Sequence, residues 1–389
     1  MSALSFTAMQ RREWRLLLHD PWLFSLITWI PMALGVFLWS IFAQGIARDL
    51  PIGVVDLDKS QVSRSIIRTY DASPALQVIK GFADISQGVA ELRAGTIYAL
   101  VLLPENLDKN TTLGSTPEVT AFVNSQFLLI GKVVNSALLQ AQSTFTVKVE
   151  VKKNLFSGQS VMDAALSSSL PIGTQTTPLF NINTNYAQFL VSAILPALWQ
   201  ILTVALTVLS FAADKRRLGL QVWLADGPVK AVTAKCITLI VVAFCQGALF
   251  LSAMYIWLGW PMHGAWSILL SALFLTSVAS VSAASLLFLA TRDAARGLSL
   301  AAAYAAPGLA FMGVTFPVSD MTLPARIWRS LIPISHYIEI QLSQVNYGAP
   351  FVTTIPQFKA LLYFIVPLLL SLVLAKVVAS PRKVAGEVV

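Results

Sequence analysis

Few residues of this chain have types and spacing that could do chemistry. Asp56 and Asp58 close an apolar run and could hold a divalent cation through carboxylate oxygens. Two acids ending a strand just before Ser60 are also ordinary turn formers. Gly131-Lys132 is the one Gly-Lys pair, but Gln126 stands where a phosphate-cradling loop needs its first glycine, and Val133 follows the lysine. The chain therefore carries no GxxxxGK[ST] and is not expected to hydrolyse ATP itself. His263, His336 and Glu339 could relay protons, but they sit at the edges of apolar runs, as solvated or interfacial residues do. Cys236 and Cys245 share one apolar run without a CxxC pair and read as buried thiols. No nucleophile–base–orienter set is legible. No catalytic residue, metal ligand or cofactor is expected in this chain.

The remaining cluster is basic. Between Asp214 and Lys235 lie Lys215, Arg216, Arg217 and Lys230, while no charge occurs between Asp163 and Asp214 or between Lys235 and Arg292. A short basic segment between two membrane-length apolar runs is a cytoplasmic loop by the positive-inside rule. With no energy source in the chain and nearly uncharged spans, this loop is the expected receiver of force from outside.

The elements that position these residues follow from composition. Hydrophobic residues make up 56% of the chain and charged residues 12%, with a mean hydropathy of +0.70. The apolar residues cluster in runs of about 18 or more, enough to cross about 30 Å of hydrocarbon. This is the signature of an integral, multi-spanning protein. The formal charge of +8 sits in loops, and no base-stacking or groove-reading motif accompanies it, so nucleic acid is not an expected partner.

Residues 1–21 read as an amphipathic elbow helix in the membrane interface, with Phe6, Met9, Trp14, Leu17 and Leu18 set against Arg11, Arg12, Glu13 and Arg15. Residues 22–47 form a first span. Residues 48–185 are polar and of domain size, with strands expected at 52–55, 76–79, 99–103 and 119–123. Helices are expected at 60–70, around 85–92 and at 125–153, and an irregular connector at 155–185. Residues 186–379 hold five further spans, near 187–213, two within 236–291, 298–316 and 358–378. The turn between the paired spans is Gly259 to Gly264, and Pro317, Pro324, Pro333, Pro350 and Pro356 break residues 317–357 into short outer or re-entrant helices. Residues 380–389, with Arg382 and Lys383, are a cytoplasmic tail. The fold expected is an all-α polytopic membrane domain of six transmembrane helices, both termini cytoplasmic, with an inserted α/β or α+β extracytoplasmic domain.

This order of parts resembles the permease subunit of type-2 ABC exporters, in the bacterial multidrug or efflux branch with a large ectodomain after the first span. The likeness is carried by Pro51–Ser60 with Ser63-Arg64, by Asp71-Ala-Ser-Pro74, by Leu102-Leu103-Pro104 and by Asn181–Leu190. Within the basic loop Gly219, Leu224, Pro228 and Lys235 fall on the family's Gly-Thr-x-Glu…Pro…Gly-Lys pattern, while Leu220, Gln221 and Ala234 depart from it.

The resemblance implies a permease that exports drugs, lipids or other amphiphiles from the bacterial inner membrane. It implies a second permease copy, homo- or heterodimeric, and a separate ABC ATPase subunit that holds the ATP and Mg. It suggests membrane lipids as partners and a periplasmic adaptor of a tripartite system. The ATPase would meet Arg11, Arg12, Arg15, Lys215, Arg216, Arg217, Gly219, Leu224, Pro228, Lys230 and Lys235, with Arg292 and Arg296 as lesser contacts. Two other classes fit the composition: a membrane-anchored ectodomain scaffold or sensor, and an ion-coupled secondary transporter.

Overall fold

The computed structural model describes residues 5–380 apart from 46, 114, 116, 157–179, 182–184 and 226. The expected tail residues Arg382 and Lys383, and most of the expected connector, lie outside the described residues. The chain divides into two compact units, Ile46–Pro178 and Met1–Gly45 with Leu179–Val389.

The second of these opens with α1 (Phe6–His19), capped by the Ser5 hydroxyl at the Ala8 N–H, and α2 (Pro21–Ile27), capped by Asp20. α3 (Trp29–Ile41) follows after a bend of 40° at Thr28. Sequence gives the reason. Pro31 has no N–H to offer the carbonyl four residues back, so the Ile27 oxygen is released. Gln246 Nε2 donates to that oxygen at 3.0 Å and to Leu26 O at 3.1 Å. A side chain 220 residues away thus holds the break in the first span.

The Ile46–Pro178 unit runs β1 (Leu50–Asp56), α4 (Gln61–Asp71), β2 (Leu76–Phe82), α5 (Ile85–Ala94), β3 (Ala99–Leu103), α6 (Leu107–Thr112), β4 (Thr120–Val123) and α7 (Leu128–Phe156). The strand order is β2-β1-β3-β4; β1 is parallel to both neighbours and β4 antiparallel to β3. Parallel neighbours joined through helices make this an α/β unit. Ile52, Val54 and Val101 pack with Ile66 and Tyr70 of α4 and Val134, Leu138 and Phe145 of α7. Val55 and Leu100 on the other face meet Val89 and Leu92 of α5. Asp56 is a turn former: Oδ1 accepts from the N–H groups of Asp58 and Lys59, and Oδ2 accepts from the Ser63 hydroxyl at 2.7 Å. The short helix α6 is an element that the apolar pattern did not reveal, because LDKNTT has no repeating apolar face.

The chain then continues with α8 (Tyr186–Leu218), α9 (Leu220–Ala225), α10 (Pro228–Ser252) ending in a π-helical turn (Ala253–Trp257), and α11 (Trp266–Thr291). After these come α12 (Ala294–Ala305), α13 (Gly308–Phe311), α14 (Leu323–Ser330), α15 (Pro333–Val345), α16 (Phe351–Leu362) and α17 (Ile365–Ala379). Among the described residues four helical stretches are long and apolar enough to cross a membrane, or five if α2 and α3 count as one bent span. The expected span at 298–316 is instead α12 and α13, twelve and four residues long and interrupted at Pro307. A twelve-residue helix covers about 18 Å, short of the hydrocarbon thickness. The last candidate span begins at Phe351, earlier than the 358 expected, because Pro356 is accommodated inside α16.

α11 sits at the centre of its bundle. Its Thr276, Ser277 and Ser280 hydroxyls donate back to carbonyls of their own helix at 2.8–2.9 Å. With Ala272, Ala279, Ala283 and Ala284 beside them, the buried face is small enough for neighbouring helices to approach closely. His336, expected to be solvated or interfacial, is buried in α15. Its Nδ1 is 2.9 Å from Gln357 Oε1, and Nε2 is 3.1 Å from the Ser330 carbonyl.

Candidate functional site

The basic stretch at 214–235 is not a long loop. α8 continues through Lys215, Arg216 and Arg217, and α10 begins at Pro228. Between them lies the six-residue helix α9. The two corners are glycines in conformations that L side chains rarely adopt, Gly219 at φ 77° and ψ 148° and Gly227 at φ 125°. Pro228 occupies the first turn of α10, where a missing N–H costs nothing. Gly219 and Pro228, named from the motif, thus act through the backbone by setting the two corners.

Four charged side chains converge behind this hairpin. Lys235, on the first turns of α10, is fully buried. Its ammonium donates to Glu13 of α1 and to the Ser210 hydroxyl at 3.1 Å, and lies 2.7 Å from Asp214 Oδ2. Arg12 bonds Asp214 and stands 3.6 Å from Glu13. Two cations thus face two carboxylates, and the buried set is neutral. The Lys235 ammonium also lies 5.6 Å from the Phe211 ring centre and 5.5 Å from that of Trp223 in α9. Those two rings meet edge to face, which supplies cation–π stabilisation where water is excluded. Burial pushes the Glu13 carboxyl above its ordinary range, against the opposite pull of Lys235. That balance is typical of ion pairs taken out of water, which orient their surroundings more than they stabilise them.

The cluster ties four elements together: α1 through Arg12 and Glu13, α8 through Asp214 and Ser210, α9 through Trp223, and α10 through Lys235. A second set reinforces it. Asp20, the cap of α2, is 3.3 Å from Arg217 and 4.0 Å from Arg216. Lys215 donates to the Arg292 carbonyl at 2.6 Å, joining α8 to the end of α11. Asp293 caps α12 at the Arg296 N–H, a bond that holds its carboxyl below the usual range.

The residues expected to meet a partner therefore separate into two groups. Lys235 and Leu224 are buried and present no side chain to a partner; Arg12 is half-buried in the cluster. Arg11, Arg15 and Lys230 are exposed and have no acidic partner among the described residues. Lys215, Arg216, Arg217, Arg292 and Arg296 are also exposed. On α9, Trp223 and Leu224 point inward while Gln221 and Val222 face out.

Sequence reasoning missed Glu13. It placed Trp14 and Leu18 on the apolar side of α1 and Glu13 on the polar side. In the structure the buried residues are Met9, Glu13, Leu16 and Leu17, with Trp14 and Leu18 exposed. The signal was present: an acid at the i+4 position of an otherwise apolar i, i+4, i+7, i+8 stripe requires a buried cation. Among the described residues no group of three or more His, Cys, Asp or Glu is placed to hold a metal ion.

A family model described as ABC-2 family transporter protein matches residues 21–375. The match takes in Asp214 and Lys235 and begins just after α1. No curated protein matches the chain. A bundle of apolar spans carrying a short helix on a buried charge cluster, matched over nearly its whole length, identifies the chain as a member of the ABC-2 transporter family, a membrane permease of the type-2 ABC class.

Proposed function

We propose that this chain is the membrane half of an ATP-driven exporter and that α9 with its basic surroundings is where a separate ATPase subunit acts on it. The observation that carries the proposal is the buried set Arg12–Glu13–Asp214–Lys235, which locks the short helix between α8 and α10 to α1. A push on the exposed residues of α9 then reaches the first, second and third spans as one body. Arg11, Arg15 and Lys230 supply a basic surface without acidic partners among the described residues. In this reading that end of the bundle, with both termini, is cytoplasmic, as the positive-inside rule directs. The Ile46–Pro178 unit is then periplasmic, and the permease works as a dimer in a bacterial inner membrane. Its cargo is an amphiphile such as a drug or lipid, and a periplasmic adaptor is a further partner.

The test is co-purification with a candidate ATPase, followed by ATP-driven export from inverted vesicles. Reversing charge at Arg11, Arg15 and Lys230 together should abolish capture of the ATPase and leave the melting temperature of the permease unchanged. Retained capture and retained export would refute the assignment of this surface.

A further inference from the structure

The other end of the bundle carries a second feature. From Asp214 back to Ser192 along α8 is about 33 Å at helical rise, roughly the thickness of the hydrocarbon layer. There a cavity of about 70 Å³ opens among the start of α8, the π-helical turn of α10 and α15. Its walls include Phe189, Tyr255, Trp260 and His263, and among the described residues no Asp, Glu, Lys or Arg lines it.

The polar atoms around it are only partly used. Gln341, 1% exposed, donates from Nε2 to the Ser192 carbonyl at 2.7 Å and to the Tyr255 hydroxyl at 3.1 Å. The Ser192 carbonyl can only accept, so the orientation of this amide is fixed, and its Oε1 has no partner among the described residues. Tyr255, having accepted, keeps its own proton, for which the described residues offer no acceptor. His263 Nδ1 lies 2.7 Å from the Val345 carbonyl, so Nδ1 carries a proton, and Nε2 has no partner among the described residues. Tyr255 is turned inward by a π-helical turn, a distortion that recurs at functional sites. The same turn leaves Ile256 and Trp257 68% and 82% exposed.

We propose that this cavity binds an uncharged, hydroxyl-bearing group: the glycoside or polyol end of an amphiphile whose chain lies along the exposed Ile256 and Trp257. A hydroxyl both gives and takes a hydrogen bond, which matches the Tyr255 hydroxyl and the His263 ring on the cavity wall. Aromatic walls suit the apolar face of a sugar. An ammonium or phosphate would find no Asp, Glu, Lys or Arg among the described lining residues to replace its hydration. A volume of about 70 Å³ is small beside the roughly 300–1,000 Å³ of a pocket that encloses a drug-sized ligand, so the cavity takes one end of a ligand. The site stands whether or not an ATPase drives the chain.

The test uses the full chain in lipid nanodiscs, titrated with hexyl β-glucoside, hexyltrimethylammonium, hexyl phosphate and methyl β-glucoside, with tryptophan fluorescence and melting temperature as readouts. Hexyl β-glucoside should give a saturable response, weakened about fivefold by Tyr255→Phe, which removes one hydrogen bond and keeps the ring. The variant, which also loses the bond from Gln341, should still unfold cooperatively, and Trp260→Phe should weaken the fluorescence signal without removing the thermal shift. The two charged probes should give no saturable response. Equal affinity in Tyr255→Phe, saturable binding of either charged probe, or no saturable response to the glucoside would overturn the assignment. Methyl β-glucoside binding as tightly as hexyl β-glucoside would overturn the part played by the chain.

Discussion

Replacing Lys235 by methionine tests whether the buried charge cluster is one unit. Methionine keeps the length and apolar stem of lysine but removes the ammonium. Glu13 and Asp214, 3% and 1% exposed, would then share only the half-buried Arg12, leaving two carboxyl groups to one cation in a largely buried site. Breaking a buried pair by removing one partner costs about 3–5 kcal/mol, and the loss of contact with Phe211 and Trp223 adds up to about 2 kcal/mol. At about 2–4 °C per kcal/mol, the melting temperature of the purified permease should fall by roughly 10–20 °C. The decisive variant is the double change Lys235→Met with Glu13→Gln. It leaves Arg12 facing Asp214 and restores neutrality, so it should recover at least half of the loss, a coupling of about 1–3 kcal/mol. Thermal unfolding of the two single variants and the double in the same detergent gives the cycle. Additive losses would refute the idea that Glu13 and Lys235 hold α1 to α10 as a pair.

Three further outcomes follow from the geometry. Gly219→Ala introduces no clash, since the space around it is open, but forces an L residue into a conformation essentially confined to glycine. It should cost about 1–3 kcal/mol in thermal unfolding and reduce ATP-driven export, whereas Gln221→Ala on the exposed side should leave stability unchanged. Gln246→Leu strips the Leu26 and Ile27 carbonyls of their donor and should cost about 1–3 kcal/mol; cysteine cross-linking between α3 and α10 would report the altered bend. Ile52→Ala, at a fully buried position of β1, should lower the unfolding free energy of the Ile46–Pro178 unit by about 2–5 kcal/mol, read by amide hydrogen exchange of β1 and β3.

The elements most legible in the sequence were those whose signal is local. β3 was bounded at its true residues, because ALVLL is a short apolar run closed by Pro104. Ser60 was identified as a cap, and its hydroxyl accepts from the Ser63 N–H. The long spans followed from uninterrupted apolar composition. The departures arose where a local pattern had two solutions. Residues 298–316 are apolar enough for a span, yet Pro307 breaks the helix, and whether neighbouring helices repair such a break is a tertiary matter. Lys235 was read as a loop cation because it follows the loop; the structure turns it inward, since α10 has already begun seven residues earlier.

By itself the sequence determined that this is a membrane protein with a polar inserted unit, that it has no phosphate cradle, and that its charge is concentrated beside the second and third long spans. These follow from composition and short-range periodicity, which hydration energetics reads directly. Only the tertiary structure decided that Glu13 and Lys235, 222 residues apart, neutralise each other, that Gln246 mends the bend at Thr28, and that Gln341 reaches the Tyr255 hydroxyl 86 residues away. The physical reason is common to all three. A buried polar group must find its partner in space, and nothing in the local pattern around either residue says where along the chain that partner lies.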